Sequence, residues 1–491
     1  MSIIPSQLVI IGFGAVGKTL SAIMMKKKNS LNGIPILIIE PKDIADSAIY
    51  KKLCKKYKVK HVKDKITKLN YIELFDKHVK KNAIVIDVAW RIDSTSMVQL
   101  CQNKQCLYLN TALDDWDQAN IHLIELEKRV VDGVKYKNNE PHMTALLDHG
   151  MNPGLVSHFV KHVLKTLADR SKDEKLIKLY KDNKYNYLAK ALGLTLIQIA
   201  ERDCQETDKL STESEFYNTW SIIGLLDEST MNAEISWGTH EKQIPVDSDT
   251  SKLGDFCQIY MPLTGFQLRT TSYEPEGKAL SGYCIPHAEC YTIARYLQIK
   301  DKKDNTTYRP TVYYSYLIPD TAKLLCHYAD YCLDDKGLPK NEHVLGSGEI
   351  KDGYDSVGCL LFFENGKRYW VGSVMHNTIA QKFNKEINVT CMQVGISILA
   401  AIEWMLQNPY EGIVDPEYVD THFILSFCKD WLGKLFCVDV TADCGIKSDQ
   451  FHEMVTFPDN INFEKFKFKN VENNIVEKKV EKKDEKKVEK K

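Results

Sequence analysis

The sequence predicts an α/β protein: a Rossmann-type doubly wound parallel sheet joined to a second α+β domain whose sheet is largely antiparallel. Three observations carry that expectation. The apolar run Leu8–Ile11 feeds a G-x-G-x-x-G loop (Gly12, Gly14, Gly17) and then a helical pattern through Leu20, Ile23 and Met24, which is the context the loop requires. Strand-like and helix-like stretches then alternate to about residue 147. Beyond a polar turn at that point, strand-like runs follow one another with few helices between them.

The glycine loop has a local logic. Gly12 permits the tight turn out of the strand, Gly14 lets the backbone approach a pyrophosphate, and Gly17 lets helix and strand pack closely, with Ala15 and Val16 completing the loop. Phosphates would rest on the helix N-terminus, where unpaired N–H groups and the helix dipole favour negative charge. The run Pro35–Ile39 ends in Glu40, at the spacing expected of the acid that binds the ribose 2′-OH. A carboxylate there repels a 2′-phosphate, so NAD is expected over NADP. The alternative, a helix-capping glycine loop followed by an unrelated strand-end Glu, requires both spacings to be accidental.

With 491 residues the chain can bury a large core in two or more domains. Its 65 Lys and Arg against 66 Asp and Glu leave a net charge of -1, which argues against a general nucleic-acid binder. No apolar run reaches the length of about 18 residues that a membrane span needs, and no signal-peptide succession is seen. A soluble, cytoplasmic protein is expected. The 14 cysteines are scattered, mostly in apolar surroundings, and no two form a C-x-x-C pair. That disfavours a metal site or a disulfide framework and fits free thiols.

After Glu40 come a Lys-rich helical segment from Ile49 to Tyr57, a short strand at Lys58–Val62 and an amphipathic stretch near Tyr71–Val79. Ala83–Val88 and Cys106–Asn110 read as buried strands around a helix from Ser94 to Cys101. The words Asp148-His149-Gly150-Met151-Asn152-Pro153-Gly154 then break the rhythm, and Val156–Leu167 reads as a helix. Strands are expected at Leu194–Glu201, Glu215–Ile223, Ala233–Trp237, Cys257–Met261 and Thr311–Leu317, with helices at Ala288–Leu297 and Thr321–Cys332. Gly358–Phe363 and Lys367–Ser373, split by Glu364-Asn365-Gly366, form a hairpin with an Asn-Gly turn. A long apolar helix runs from Thr390 to Leu406, and the Lys/Glu tail from Val471 cannot bury enough to fold alone. The expected organisation is 1–147 for the dinucleotide domain and 148–389 for a substrate-binding and dimerisation domain. Residues 390–460 are expected to form a helical segment packing back on the first domain, and 471–491 a disordered tail.

A nicotinamide enzyme acting on a cationic substrate needs carboxylates and aromatic faces near the ring. Strand ends and turns offer Asp93, Asp114, Glu201, Trp220, Glu228, Asn152 and His287. For each alone the plainer reading, as a cap, a solvated acid, a core aromatic or a satisfied polar group, is the stronger one. Periodicity does not gather them into one pocket.

The words from Asp148 to Gly154, Ala200-Glu201-Arg202-Asp203, Asn218-Thr219-Trp220-Ser221, Trp237-Gly238-Thr239-His240-Glu241 and Tyr308-Arg309-Pro310-Thr311 resemble those of bacterial-type homospermidine synthases, within the wider saccharopine dehydrogenase group. The likeness runs in order from the glycine loop to about residue 440. It implies an NAD-dependent homodimer that joins two putrescines into homospermidine with release of ammonia, spermidine being able to replace one putrescine. It also implies that Trp220 is a cation-π platform, that Glu201 and Glu228 are the carboxylates beside it, and that Asn152 and His287 lie near the reacting centre. Asp93 and Asp114 would hold the distal ammonium groups. Two positions depart from the family pattern: Asp114-Asp115-Trp116 stands where Glu-Pro-Trp is usual, and Met151 replaces a small residue. Two other classes stay open. A saccharopine- or carboxynorspermidine-type dehydrogenase would use a cation such as Arg202, Arg269 or Arg309 to hold a substrate carboxylate. A non-catalytic NAD-sensing module would use the charged tail for docking.

Overall fold

In a computed structural model of the chain, the structure describes residues 3–116, 121–138, 140–212, 214–254, 257–324, 341–457 and 467–470. Its first sheet contains β1 (Leu8–Ile11), β2 (Ile36–Ile39), β3 (Val59–Val62), β4 (Ile84–Asp87), β5 (Leu107–Asn110) and β6 (Ala145–Leu146). These pair in parallel in the order β6-β5-β4-β1-β2-β3, and the short strand Ile413–Val414 adds itself outside β6. The central strands are buried on both faces, as near-continuous Ile, Leu and Val runs must be when helices cover a parallel sheet. The order reverses between β1 and β4, which opens a crevice at the carboxyl ends beside the glycine loop.

The second sheet has ten strands and is mostly antiparallel. Its centre is β7 (Leu194–Asp203), flanked by Thr311–Leu317 in parallel and Tyr354–Phe363 antiparallel. The hairpin Tyr354–Phe363/Arg368–His376 turns at Gly366, whose φ of 81° is the left-handed conformation expected of that turn. One face of this sheet carries the helices Leu155–Ser171 and Glu289–Leu297.

The long helix Val389–Gln407 has the apolar length to cross a membrane, yet it is buried against α1 (Ala15–Lys26) and the second sheet. Glu403 near its end accepts the Ser30 backbone N–H at 2.6 Å and the Ser30 hydroxyl at 2.7 Å, tying it to the first sheet's layer.

Two expectations change. The strand expected over Glu215–Ile223 stops at Asn218, because the Ser221 hydroxyl caps the Gly224 N–H and starts a helix, Ile222–Thr230. Trp220 therefore sits in a strand-to-helix turn. The stretch 390–460 is not wholly helical: Ile413–Val414 joins the first sheet, while Lys434–Asp439 and Val455–Thr456 form the two outer strands of the second. Strands at Arg269–Glu274 and Lys278–Tyr283 and helices at Leu123–Gly133, Glu174–Lys181 and Tyr185–Leu192 also went unread. Most of the helix expected at Thr321–Cys332, and all of the tail 471–491, lie outside the described residues.

Candidate active site

The glycine loop is built as its residue types require. Gly12 has φ +87°, and a Cβ there would meet the Val88 carbonyl oxygen at 3.0 Å; a Cβ on Gly17 would come within 2.3 Å of the Gly12 carbonyl oxygen. Gly14 is the contrast, since a Cβ there would touch nothing within 4 Å. It is the N-cap of α1, with no side chain capping the helix and no acid in its first turn. Ala15 and Val16 begin that turn. Unpaired N–H groups thus face open space, and the cradle fits a dinucleotide pyrophosphate. Glu40, largely buried, accepts the Phe13 backbone N–H at 2.8 Å and the Lys42 N–H at 2.9 Å. Its carboxylate is held against the loop.

The second group of residues converges on the carboxyl end of that sheet. Asn152 follows β6, and its side-chain amide donates to Glu201 Oε2 at 2.7 Å across to β7. Tyr314 donates to the same oxygen through a short hydrogen bond. The register explains the meeting: Tyr314 pairs with Ile199 and Tyr316 with Glu201, so Glu201 and both tyrosines share one sheet face. The two tyrosine rings stack at 5.6 Å, and Tyr316 accepts the Trp220 indole N–H at 3.0 Å. Trp220 is half-buried.

His287 lies 4.1 Å from Tyr314, ring centre to ring centre. Its Nε2 meets Glu228 and its Nδ1 meets Glu289, each at 3.2 Å. Burial works against charge on this ring, but the two carboxylates outweigh it and raise its pKa well above the ordinary value, which favours the imidazolium. Burial pushes Glu201 the other way, up to about 7, with Asp203 adding repulsion while Tyr314 and Asn152 pull it down. An acid poised near neutrality beside an aromatic wall can both take and return a proton.

Asp93 and Asp114 lie in the loops after β4 and β5, outside the hydrogen-bonded cluster. Asp93 caps the helix Ser94–Lys104, accepting the Ser96 N–H at 2.6 Å. Asp114 accepts the Arg91 N–H through a short bond and the Asp115 N–H at 2.8 Å. Burial raises its pKa to about 6, and Asp115 and Asp227 add to the rise. Asp227 precedes Glu228 on the helix Ile222–Thr230, and a Cβ on Gly224 of that helix would run into Trp90, 2.1 Å away. The β4 loop is thereby pressed against the helix that bears Glu228. Met151 is buried and turned into the core.

Two of the three candidate arginines are engaged by the protein itself, and the third has a single neutral partner. Arg202 holds Glu274 at 3.0 Å and the Gly277 and Ala279 carbonyls; Arg269 donates to the Tyr283 hydroxyl; Arg309 donates to the carbonyls of Trp237, Leu253 and Gly254 and to Gln298. No group of three or more His, Cys, Asp or Glu suited to a metal occurs among the described residues.

The residues that sequence reasoning missed are Tyr314, Tyr316, Glu289, Asp203 and Asp355. The last two are acids within otherwise apolar strands, a signal that was legible. The tyrosines were hidden because three of them, Tyr313, Tyr314 and Tyr316, fall on both faces of one strand, so no alternation marks the working ones.

Fold and site together define a two-sheet dinucleotide-dependent enzyme with an acidic, aromatic pocket. Profiles described as the saccharopine dehydrogenase NADP binding domain and the saccharopine dehydrogenase C-terminal domain match residues 8–144 and 150–436. The chain is 31% identical to homospermidine synthase of Mesorhizobium japonicum over 446 residues, 88% of this chain and 89% of that one. It is 28% identical to the homospermidine synthase of Blastochloris viridis, over 88% of this chain and 90% of the other. The crystal structure of homospermidine synthase from Legionella pneumophila in complex with NAD superposes with a TM-score of 0.77 at 30% identity, covering 92% of this chain and 98% of that one. The chain belongs to the saccharopine dehydrogenase family and, within it, to the homospermidine synthases.

Proposed function

We propose that the protein is an NAD-dependent homospermidine synthase that condenses two putrescines, or putrescine with spermidine, and releases ammonia or diaminopropane. The observation that carries this is the bond from Asn152, at the carboxyl end of the dinucleotide sheet, to Glu201 in the second sheet. It sets a near-neutral acid and an aromatic wall beside the crevice where a nicotinamide belongs. When bound in the glycine cradle, NAD supplies a hydride acceptor and later donor, which makes the reaction redox-neutral. Glu40 favours NAD, because its carboxylate repels a 2′-phosphate.

The chain's own residues do the rest. Glu201 takes a proton from the substrate ammonium, since only a neutral amine can support loss of hydride from its carbon. The iminium that follows gains charge beside the Trp220 ring and the Glu228 carboxylate, whose fixed negative potential stabilises it without waiting for solvent to reorganise, while Glu201 holds the proton it has taken. Asn152 keeps Glu201 oriented. His287, held charged between Glu228 and Glu289, fixes both carboxylates and limits how much excess negative charge the pocket carries. A neutral amine of the second putrescine attacks the iminium carbon, ammonia leaves, and the new Schiff base is reduced by the returning hydride. Asp114 and Asp93, in the loops that face the Glu228 helix, take the distal ammonium groups. Arg202 and Arg309, both engaged within the protein, support this reading over a dehydrogenase that handles amino acids.

Further parts of the proposal are a homodimer and a cytoplasmic location, the latter supported by free and mostly buried thiols among the described residues. Sedimentation tests the dimer against the 56.3 kDa of one chain. The decisive assay incubates the protein with putrescine and NAD. Homospermidine detected by mass spectrometry without steady accumulation of NADH is the expected result; NADH accumulating with no new polyamine overturns it.

A further inference from the structure

Behind Glu201 lie two acids that the mechanism above leaves idle. Asp203 is two residues further along β7 and therefore on the same face. Asp355 stands directly opposite Asp203 on the antiparallel strand Tyr354–Phe363. Directly opposed residues of an antiparallel pair bring their Cβ atoms to within about 4.5–5.5 Å, so the two carboxyl groups are neighbours. Both are buried, and among the described residues no ion pair reaches either. Their partners are neutral and unequal. Asp203 accepts from the Thr219 hydroxyl at 2.5 Å and from the Gln205 backbone and side-chain N–H groups, both at 3.1 Å. Asp355 accepts the Thr390 hydroxyl at 2.7 Å through one oxygen, with the adjoining Ser356 backbone N–H as its other favourable neighbour, and its second oxygen is buried with no hydrogen-bond partner.

Two like charges cannot both persist in such a place. The donor pattern decides where the charge goes: Asp203 is equipped as the anion and Asp355 as the acid. We propose that Asp203 and Asp355 share one proton, and that the single negative charge left on the pair, opposed by the Tyr314 hydroxyl, sets the pH at which Glu201 exchanges its proton with substrate. They are positioning residues, acting through Glu201. The inference rests on the reading of Glu201 as the proton-exchanging group.

The directions of titration agree with the geometry. Burial raises Asp355 well above its ordinary value, and Glu201 and Asp203 raise it further; burial also raises Asp203, while its three donors hold it down. The groups that face Glu201 are Tyr314 and Tyr316 from the strand Thr311–Leu317, His287 from the turn before the helix Glu289–Leu297, and Asp203 and Asp355. Cys391, from the helix Val389–Gln407, faces the acid pair.

The test is the pH dependence of kcat/KM for putrescine in the full-length protein at saturating NAD. Ionised Glu201 is the active form, so activity rises with pH through an acid limb. Asp203→Asn removes the pair's charge, because the remaining Asp355 stays protonated, and moves the limb down by about one pH unit. Asp355→Asn leaves Asp203 ionised and moves it by less. Tyr314→Phe removes a hydrogen bond to the charged form of Glu201 and moves it up. A folded Asp203→Asn protein that merely lowers the plateau, with the limb in place, overturns the inference and assigns the pair a structural role. Should Asp203→Asn fail to fold, infrared difference spectra of wild type against Asp355→Asn decide. A protonated-carboxyl band at neutral pH that the variant lacks is expected, and no difference overturns the proposal. An acid limb that survives in Glu201→Gln overturns the reading of Glu201 itself, and the inference with it.

Discussion

The two sheets make their halves of the site in opposite ways. In the parallel sheet every element of the cofactor cradle comes from one contiguous stretch, Gly12 to Glu40, and its parts are backbone geometry: a positive φ, a missing Cβ, an uncapped helix start. In the second sheet the working residues are side chains from five separated segments around positions 152, 201, 220–228, 287 and 314–316, and only register and layer packing bring them together. A site made of backbone tolerates change in everything except its glycines and one acid. A site made of side chains depends on each member's environment, so a carboxylate hydrogen-bonded to backbone N–H groups at Glu40 contrasts with one that burial pushes up to about 7 at Glu201.

If that division is right, substitutions in the second sheet should change turnover and leave cofactor affinity alone, while Glu40 should do the reverse. Glu201→Gln is the largest case: turnover should fall by about 10² to 10⁴-fold, the usual worth of a positioned acid-base group, with NAD binding by fluorescence titration unchanged. Loss of NAD binding in that variant would break the division. Trp220→Ala should lower kcat by about 10 to 100-fold, as expected for a desolvated cation-π contact, and Trp220→Phe should recover part of it. Equal rates in wild type and Trp220→Ala would remove the indole from the site.

Glu40→Ala should weaken NAD binding by roughly 10-fold, the equivalent of about one charge-assisted hydrogen bond, and narrow the preference over NADP, with kcat at saturating cofactor preserved. The smallest effect is expected at Asp93. Asn is as good a helix cap as Asp, so Asp93→Asn should keep the melting temperature while KM for putrescine rises by about 3-fold, the scale of an exposed ionic contact. A fall in melting temperature with unchanged KM would leave Asp93 as a cap only.

The first half of the molecule was readable because its signals are short-range. A strand entering G-x-G-x-x-G and an acid at the end of the next strand are fixed by local sterics, and the structure meets both. The ordered words of the second half carried the family likeness and named Glu201, Trp220 and His287, but not what they touch. Trp220 reads as a strand residue until the Ser221 cap is seen to start a helix. Tyr314 reads as core until its hydroxyl meets Glu201.

By itself, then, the sequence determined the fold class and the dinucleotide cradle, because hydrophobic period, turn chemistry and glycine sterics act over a few residues, while its ordered words carried the family likeness. Only the tertiary structure decided which acids are charged. Protonation depends on burial and on neighbours that pair across strands some 150 residues apart, as Asp203 and Asp355 do, and on which arginines are already spent on carbonyls. Those are properties of register and packing, and no local pattern encodes them.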